Sequence, residues 1–245
     1  MLSKAHTKYI QSLHHKKFRD AEKVFIAEGS KVVIDLLKSA VFNCVEILGL
    51  QESLQQNEII IRKYYTGPLQ VIEGFELDKI AALQTPNQIL AIFKYAALPA
   101  FNPKNKITLM LDTIQDPGNM GTIIRIADWF GIEAIICAGN CVDMYNPKVV
   151  QSTMGSLGNV KILYTDLLIW LKENKNIKTY AAALDGENVT VLKGLKEGII
   201  VIGNEAKGIS SGVMDMCSAK ITIPKIGAAE SLNAAVATGI ILSHL

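Results

Sequence analysis

The chain has 245 residues, of which 49% are hydrophobic and 20% are charged, and its formal net charge is +2 at pH 7. This balance is typical of a soluble globular protein with one large domain or two small ones. The net charge is too small to indicate a nucleic-acid or membrane partner by itself. No stretch approaches the roughly 18 apolar residues that a membrane span needs.

The N-terminus and the cysteines indicate where the protein works. The N-terminus is polar and rich in histidine, without the apolar core of a signal peptide. The four cysteines form no Cys-x-x-Cys pair and no metal-like cluster. We therefore expect a cytoplasmic protein with reduced thiols, no membrane segment and no metal site.

The first 19 residues are basic although the whole chain is nearly neutral. They contain five cationic side chains and no acidic one, namely Lys4, Lys8, Lys16, Lys17 and Arg19. Two interpretations remain open from composition alone. The run is either a solvated basic face or a set of contacts to RNA phosphates.

Short strand and helix patterns alternate up to about residue 95. The strand patterns are "VFIAEG" (24–29), "CVEIL" (44–48) and "ILAIFKY" (89–95), and the helical patterns are "EGSKVVIDLLKSA" (28–40) and "FELDKIAAL" (75–83). They predict a small α/β domain over 1–95. The stretch 96–106 has two prolines and two asparagines, and we interpret it as a linker.

From residue 107 the alternation is more regular. Apolar runs predict strands at 107–112, 133–138, 160–164, 178–184, 198–203 and 220–224. Continuous apolar strands separated by helices are typical of a parallel sheet covered on both faces. We therefore expect a second α/β domain over 107–245. Ligands of such sheets bind at the carboxyl ends of the strands.

The first unusual strand end is "DPGNMGTIIRIADWFG" (116–131). Pro117 and Gly118 indicate a turn, and Asn119 is a plausible helix N-cap. Gly121 leaves one helical turn bare, so that a ligand or another backbone can approach. Arg125 follows one turn later within an apolar stretch that suggests burial, which favours either a functional role or a structural pair with Asp128.

The second strand end is "GIIVIGNEAKGIS" (198–210). Gly203 and Gly208 allow the backbone to wrap a ligand, and Asn204 and Glu205 offer polar groups. No Gly-Lys-Ser/Thr sequence follows, so this is not a P-loop. An ordinary strand-to-helix turn would explain the same residues.

The third strand end is "ITIPKIGAAESLNAAVATGIIL" (221–242). Pro224 ends a strand, and Ser231 is a candidate N-cap for a helix rich in small residues. A plain packing helix explains Ser231 and the alanines, but it does not explain the polar Asn233.

The residues that several common enzyme mechanisms require are absent near these three strand ends. Three of the four histidines precede residue 16 and the fourth is His244, which argues against Ser-His-Asp catalysis and zinc hydrolysis. No Gly-x-Gly-x-x-Gly sequence follows a strand, which argues against a Rossmann dinucleotide site and an oxidoreductase.

Together the three stretches resemble the three motifs of the SpoU (TrmH) family of SPOUT RNA methyltransferases. Motif one corresponds to Asn119, Gly121 and Arg125; motif two to Gly203, Asn204, Glu205 and Gly208; motif three to Ile223, Pro224, Ser231, Leu232 and Asn233. The likeness covers about 107–245. The first half is similar to the family's substrate-binding domain, which resembles ribosomal protein L30e, through "FIAEGSKVVIDLLKSA" and "TPNQILAIF".

The resemblance implies an enzyme that methylates a ribose 2′-hydroxyl of RNA with S-adenosylmethionine, in a homodimer whose C-terminal parallel sheet holds a deep trefoil knot. Ribosomal RNA of the 23S type is the favoured substrate, and transfer RNA is the alternative. Cofactor contacts are implied for Gly203, Asn204, Gly208, Ile223, Leu232 and Asn233, and catalytic roles for Arg125, Asn119, Glu205, Ser231 and Asn233. Lys4, Lys8, Lys16, Lys17 and Arg19 become candidate RNA contacts.

Two departures from the family pattern bear on RNA contacts. Gln151 stands where many members have arginine, and Ala206 stands where glycine is common. A member that binds RNA without catalysis is a further alternative. The intact motif residues argue against it.

Overall fold

The structure is a computed structural model that describes residues 1–83, 87–97, 100–204 and 206–245. The strands are β1 (Val24–Glu28), β2 (Cys44–Gly49), β3 (Leu69–Val71), β4 (Ile89–Lys94), β5 (Ile107–Leu111), β6 (Ala134–Ala138), β7 (Lys161–Thr165), β8 (Thr179–Asn188), β9 (Gly198–Ile202) and β10 (Ala219–Thr222). The helices are α1 (Lys4–Ser12), α2 (Lys16–Glu22), α3 (Ser30–Ser39), α4 (Gln51–Ile61), α5 (Gly74–Ile80), α6 (Pro117–Trp129), α7 (Pro147–Thr153), α8 (Leu167–Glu173), α9 (Ser211–Met214) and α10 (Ala234–Leu242).

An N-terminal unit contains residues 1–97 and also the segment 143–159, which carries α7. Its sheet has the order β1-β4-β2-β3, in which β4 pairs antiparallel with β1 and β2 while β3 is parallel to β2. Every residue of β1 is buried. The 143–159 segment packs on β1 through Tyr145, whose ring stacks on Phe25 and on Tyr95. We propose that the N-terminal domain comprises residues 1–95 and 143–159, that 96–106 is a linker, and that the C-terminal domain comprises 107–142 and 160–245.

A C-terminal unit contains residues 98–142 and 160–245. Its six strands are all parallel, in the order β10-β8-β9-β5-β6-β7. The chain runs outward from β5 to β7 and then returns to the opposite side for β8. The order therefore reverses next to β5, and such a reversal opens a crevice at the carboxyl ends of the strands.

The fold class expected from the sequence is confirmed: the protein is α/β with a parallel C-terminal sheet. Each strand predicted from the sequence is present with ends displaced by a few residues, except that β8 continues to Asn188. Helices α1, α2 and α4 were not predicted, because they bury few apolar side chains; α1, for example, buries only Ile10. No helix in the described ranges is long and apolar enough to cross a membrane.

Candidate active site

A cavity of about 1060 Å³ opens in the C-terminal unit at the carboxyl edge of the parallel sheet. Segments that follow β9 and β10 line it, together with the end of β8 and the buried face of α10. Six candidate cofactor or catalytic residues are among the lining: Gly203, Asn204, Gly208, Ile223, Ser231 and Leu232. Motifs two and three therefore form one recess, large enough for a cofactor. A smaller cavity of about 520 Å³ in the N-terminal unit contains none of the described site residues.

The motif-two loop folds back on itself immediately after β9. The backbone N–H of Asn204 donates to the carbonyl of Gly208, and the N–H of Gly208 donates to the carbonyl of Asn204, each at 2.9 Å. A Cβ at Gly203 would lie 2.3 Å from the carbonyl carbon of Gly208, so only glycine fits there. Gly208 itself has φ +68°, a conformation that favours glycine. The loop thus presents bare backbone to the cavity.

Motif three reaches the site through the first turn of α10. The N-cap is Asn233, whose Oδ1 accepts from the N–H groups of Ala235 at 2.9 Å and Val236 at 3.2 Å. Ser231 was expected to be the cap, and that expectation is wrong: it lies two residues earlier, in the exposed loop. This capping role explains the asparagine that a plain packing helix left unexplained.

Motif one begins with a helix cap of its own. Asp116 is the N-cap of α6, accepting from the N–H of Asn119 at 2.7 Å, and Pro117 occupies the first helical turn. The expectation that Asn119 caps this helix is therefore wrong. Asn119 lies inside the first turn, where its Oδ1 accepts a hydrogen bond of 2.8 Å from Nδ2 of Asn233. Motifs one and three are in direct contact.

Arg125 is exposed, contrary to the burial that its apolar neighbours suggested. Ile123 and Ile124 are buried beside it, so the helix turns its core-facing residues inward and directs position 125 outward. Among the described residues it forms no ion pair with Asp128. Neither Arg125 nor Asn119 lines the cavity. The guanidinium is thus available to a partner outside this chain.

The contribution of β8 to the cavity was not predicted from the sequence. Its residues Ala182, Ala183, Leu184 and Asp185 line the cavity beside the two motif loops. The signal was the run of small residues in "KTYAAALDG", which leaves room at a strand end. A hydrogen bond from Lys220 lowers the pKa of the Asp185 carboxyl, so it is ionised at neutral pH. Glu205, the remaining candidate of motif two, lies outside the described residues.

The basic residues of the N-terminal unit divide into two kinds. Lys4, Lys8, Lys16 and Lys17 are exposed on α1 and α2. Arg19 is only 1% exposed: it forms a 2.7 Å ion pair with Asp143 and donates to the backbone carbonyls of Leu13 and His14. A phosphate cannot reach Arg19 without breaking these bonds. Arg19 therefore does not belong with the candidate RNA contacts.

Comparison with protein families decides the family of this chain. Residues 106–243 match the model of the SpoU rRNA methylase family, and residues 4–91 match the MRM3-like substrate binding domain. The chain belongs to the SpoU family. It is 29% identical to the 23S rRNA (guanosine(2553)-2′-O)-methyltransferase RlmP of Bacillus subtilis, over 96% of this chain and 93% of that protein.

Solved structures agree with this membership. A Porphyromonas gingivalis protein assigned to the TrmH family of RNA methyltransferases is 34% identical, with a TM-score of 0.85 over 100% of this chain and 98% of that one. An AdoMet-bound rRNA methyltransferase from Sinorhizobium meliloti is 28% identical, with a TM-score of 0.87 over 100% and 95%. The sequence-based assignment of a SpoU-family RNA methyltransferase that uses S-adenosylmethionine is confirmed.

Proposed function

We propose that this SpoU-family enzyme methylates a ribose 2′-hydroxyl of ribosomal RNA. The observation that carries the proposal is the Asn119–Asn233 hydrogen bond, which connects the arginine-bearing helix to the motif-three segment that closes the cavity. The similarity to RlmP over nearly the full length of both chains favours 23S rRNA. Transfer RNA stays the alternative substrate.

The lining of the cavity fits S-adenosylmethionine. Ile202, Ile209 and Leu232 supply apolar surface for a flat heteroaromatic ring, and Gly203 and Gly208 leave backbone groups within reach of its polar edge. The Asp185 carboxylate, which forms an ion pair with Lys220 at 2.7 Å, lines the same cavity and is proposed to accept hydrogen bonds from polar groups of the cofactor. When bound there, S-adenosylmethionine supplies a methyl group activated by its sulfonium. Glu205, Ser231 and Asn233 are proposed to position groups around it.

Arg125 is proposed to act on the acceptor side of the reaction. A guanidinium keeps its proton at neutral pH, so it is a poor base. Its donors instead suit the negative charge of a phosphate or of an oxygen that is losing its proton. The exposure of Arg125 agrees with a partner that arrives from solution. In this role Arg125 orients the ribose hydroxyl, and Asn119 holds the first turn of the same helix against motif three.

The N-terminal unit is proposed to bind the RNA outside the reaction centre. RNA recognition relies on shape, phosphates and the 2′-hydroxyl more than on groove edges. Lys4, Lys8 and Lys17 are exposed and form no ion pair among the described residues, whereas Lys16 pairs with Asp20 on the same helix. We keep all four lysines as phosphate contacts.

The homodimer and the knot stay proposals that follow from the family. Large apolar side chains remain exposed on the two helices that carry motifs one and three, Trp129 and Val236 among them. We propose that Trp129 and Val236 belong to the surface that the second subunit covers. Light scattering tests the dimer, which has twice the 26.7 kDa mass of one chain. A cytoplasmic site of action agrees with a ribosomal substrate.

Mapping of 2′-O-methylation in cells tests the proposed substrate. Total RNA from cells with and without the gene is compared by resistance to alkaline cleavage at each nucleotide. We expect one ribosomal position to lose its methyl group and to regain it when the wild-type gene is returned. Loss confined to a transfer RNA would transfer the proposal to the alternative substrate, and no loss in either would contradict it.

A further inference from the structure

We propose that Asp112 and Thr113 are positioning residues that fix the motif-two loop against the strand leading into motif one. They belong to none of the three motifs. The proposal rests on the proposed function, in which the cavity described above is the cofactor site.

Asp112 continues the central ladder of the sheet for one residue beyond β5. Its N–H donates to the carbonyl of Ile202 at 2.9 Å, immediately before the motif-two loop. The carboxylate is 5% exposed, and its Oδ2 accepts from the N–H of Ser210 at 2.7 Å. Asp112 therefore binds both ends of the segment 202–210. A buried carboxylate that accepts a backbone N–H forms a stronger bond than a neutral acceptor does.

Thr113 supports the same loop through its backbone. It has φ +64°, which is rare for a β-branched residue and persists only when surrounding bonds hold it. In this conformation its carbonyl accepts from Nδ2 of Asn204 at 2.9 Å. The Oδ1 of Asn204 accepts from the N–H groups of Ala206 and Lys207, both at 3.0 Å. The carbonyl of Thr113 thus orients the side chain of Asn204, which in turn holds the backbone of the motif-two loop.

The hydroxyl of Thr113 keeps the strained residue in place. It donates to Oδ1 of Asp112 at 3.0 Å and accepts from Nδ2 of Asn140 at 3.0 Å. Three residues later Asp116 caps α6, which carries Asn119 and Arg125. Asp112 and Thr113 therefore set the distance between the motif-two loop and α6, whose Arg125 is proposed to orient the acceptor hydroxyl. In a methyl transfer, small errors in that distance slow the reaction strongly.

Calorimetric titration of S-adenosylmethionine into the full chain tests the proposal with matched variants. Asp112→Ala is compared with Asp166→Ala, since Asp166 also accepts backbone N–H groups, from Leu168 and Ile169, at the end of β7 in the same sheet. Both variants are expected to lower Tm by a few degrees, roughly the effect of losing a cap. Only Asp112→Ala is expected to raise the Kd for S-adenosylmethionine, by about tenfold or more, and to raise its KM without changing the KM for RNA.

A second pair of variants decides the matter if Asp112→Ala does not fold. Thr113→Ser keeps the hydroxyl and is expected to bind S-adenosylmethionine as the wild type does, whereas Thr113→Ala is expected to bind several times more weakly. Equal affinities for the Ser and Ala variants, or equal weakening by Asp112→Ala and Asp166→Ala, would overturn the inference. Failure of the wild-type chain to bind S-adenosylmethionine would instead contradict the proposed function.

Discussion

Asn233 caps α10 with its Oδ1 and donates from Nδ2 to Asn119 on α6, so one side chain both begins a helix and joins two motifs. The two functions use different atoms of the same amide. A substitution that keeps one atom and changes the other can therefore separate stability from catalysis.

Asn233→Asp is the first such test. Aspartate caps a helix about as well as asparagine, so the melting temperature should stay close to that of the wild type. The donor to Asn119 is removed, and a carboxylate oxygen then faces Oδ1 of Asn119. We expect methyl transfer to fall by about tenfold or more because the two motifs lose their alignment. Wild-type turnover in a folded Asn233→Asp protein would show that this hydrogen bond serves the fold alone.

Arg125 allows activity to be removed without loss of stability. Because its side chain is exposed, Arg125→Ala should change the free energy of unfolding by no more than about 0.5 kcal/mol. Methyl transfer by Arg125→Ala should be roughly 100-fold slower than by the wild type. The rate of Arg125→Lys should lie between those of the wild type and Arg125→Ala, because lysine keeps the positive charge but lacks the planar guanidinium group. Calorimetry should give an unchanged Kd for S-adenosylmethionine. Lys172→Ala, on α8 of the same unit, is the control for loss of an exposed positive charge. Near wild-type rates in both Arg125 variants would refute the proposed role of Arg125 in methyl transfer.

Gly203→Ala tests the shape of the motif-two loop. The added methyl would lie 2.3 Å from the Gly208 carbonyl carbon, so the loop must open. We expect binding of S-adenosylmethionine to weaken by about tenfold or more, since the backbone that lines the cavity moves. Gly139→Ala is the matched control, because nothing lies within 4 Å of the position its Cβ would take. Equal affinities in the two variants would place the cofactor elsewhere.

The four exposed lysines predict a salt-dependent contribution to RNA binding. Replacing Lys4, Lys8, Lys16 and Lys17 with glutamine should weaken RNA affinity and flatten the plot of log K against log salt. For single-stranded RNA the slope should fall by about 0.7 for each phosphate that is no longer neutralised. Filter binding at several salt concentrations measures both quantities. The interpretation as a solvated face would be correct if affinity and slope stayed the same.

Glu28 predicts a pH dependence of stability in the N-terminal unit. Burial raises the pKa of this carboxyl despite hydrogen bonds from the N–H groups of Ala82 and Leu83, and its Oε2 has no partner among the described residues. The folded state therefore holds the proton more tightly than the unfolded state. This stabilisation is complete below the unfolded pKa of about 4.3 and is lost as pH rises through the folded pKa.

Glu28→Gln removes that titration while keeping an acceptor for Ala82. Urea unfolding between pH 4 and pH 7 should show the variant gaining stability relative to the wild type as pH rises. Glu52→Gln, at an exposed position on α4, shows the effect of removing a surface charge. A difference between Glu28→Gln and wild type that is constant with pH would contradict the effect of burial.

The sequence was sufficient where the information is local. The apolar run 198–202 predicts a buried central strand, and β9 is buried throughout. The motif spacings identified the segments that meet at the sheet edge. The apolar neighbours of Arg125 also suggested that it is buried, and that prediction is wrong. A short apolar run does not show which face of α6 packs against the core.

The errors elsewhere come from competition between neighbours or from distant partners. Asp116 displaced Asn119 as a cap because a proline follows it directly and favours the first helical position. Arg19 lies among lysines in the sequence, and its partner Asp143 is 124 residues away. No pattern near residue 19 indicates that ion pair. The end of β8 lines the cavity because β8 lies between β10 and β9 in the sheet, and hydrophobic periodicity does not reveal the order of strands.

The most direct test of the account is methyl transfer by the purified protein to RNA from cells that lack its gene. S-adenosylmethionine labelled at the methyl group is supplied, and the RNA is digested to nucleosides and separated. We predict label in a single 2′-O-methylated nucleoside of ribosomal RNA, and about 100-fold less label with Arg125→Ala. Label on a base, or equal label with Arg125→Ala, would contradict the claim that this helix directs a ribose hydroxyl toward the donor.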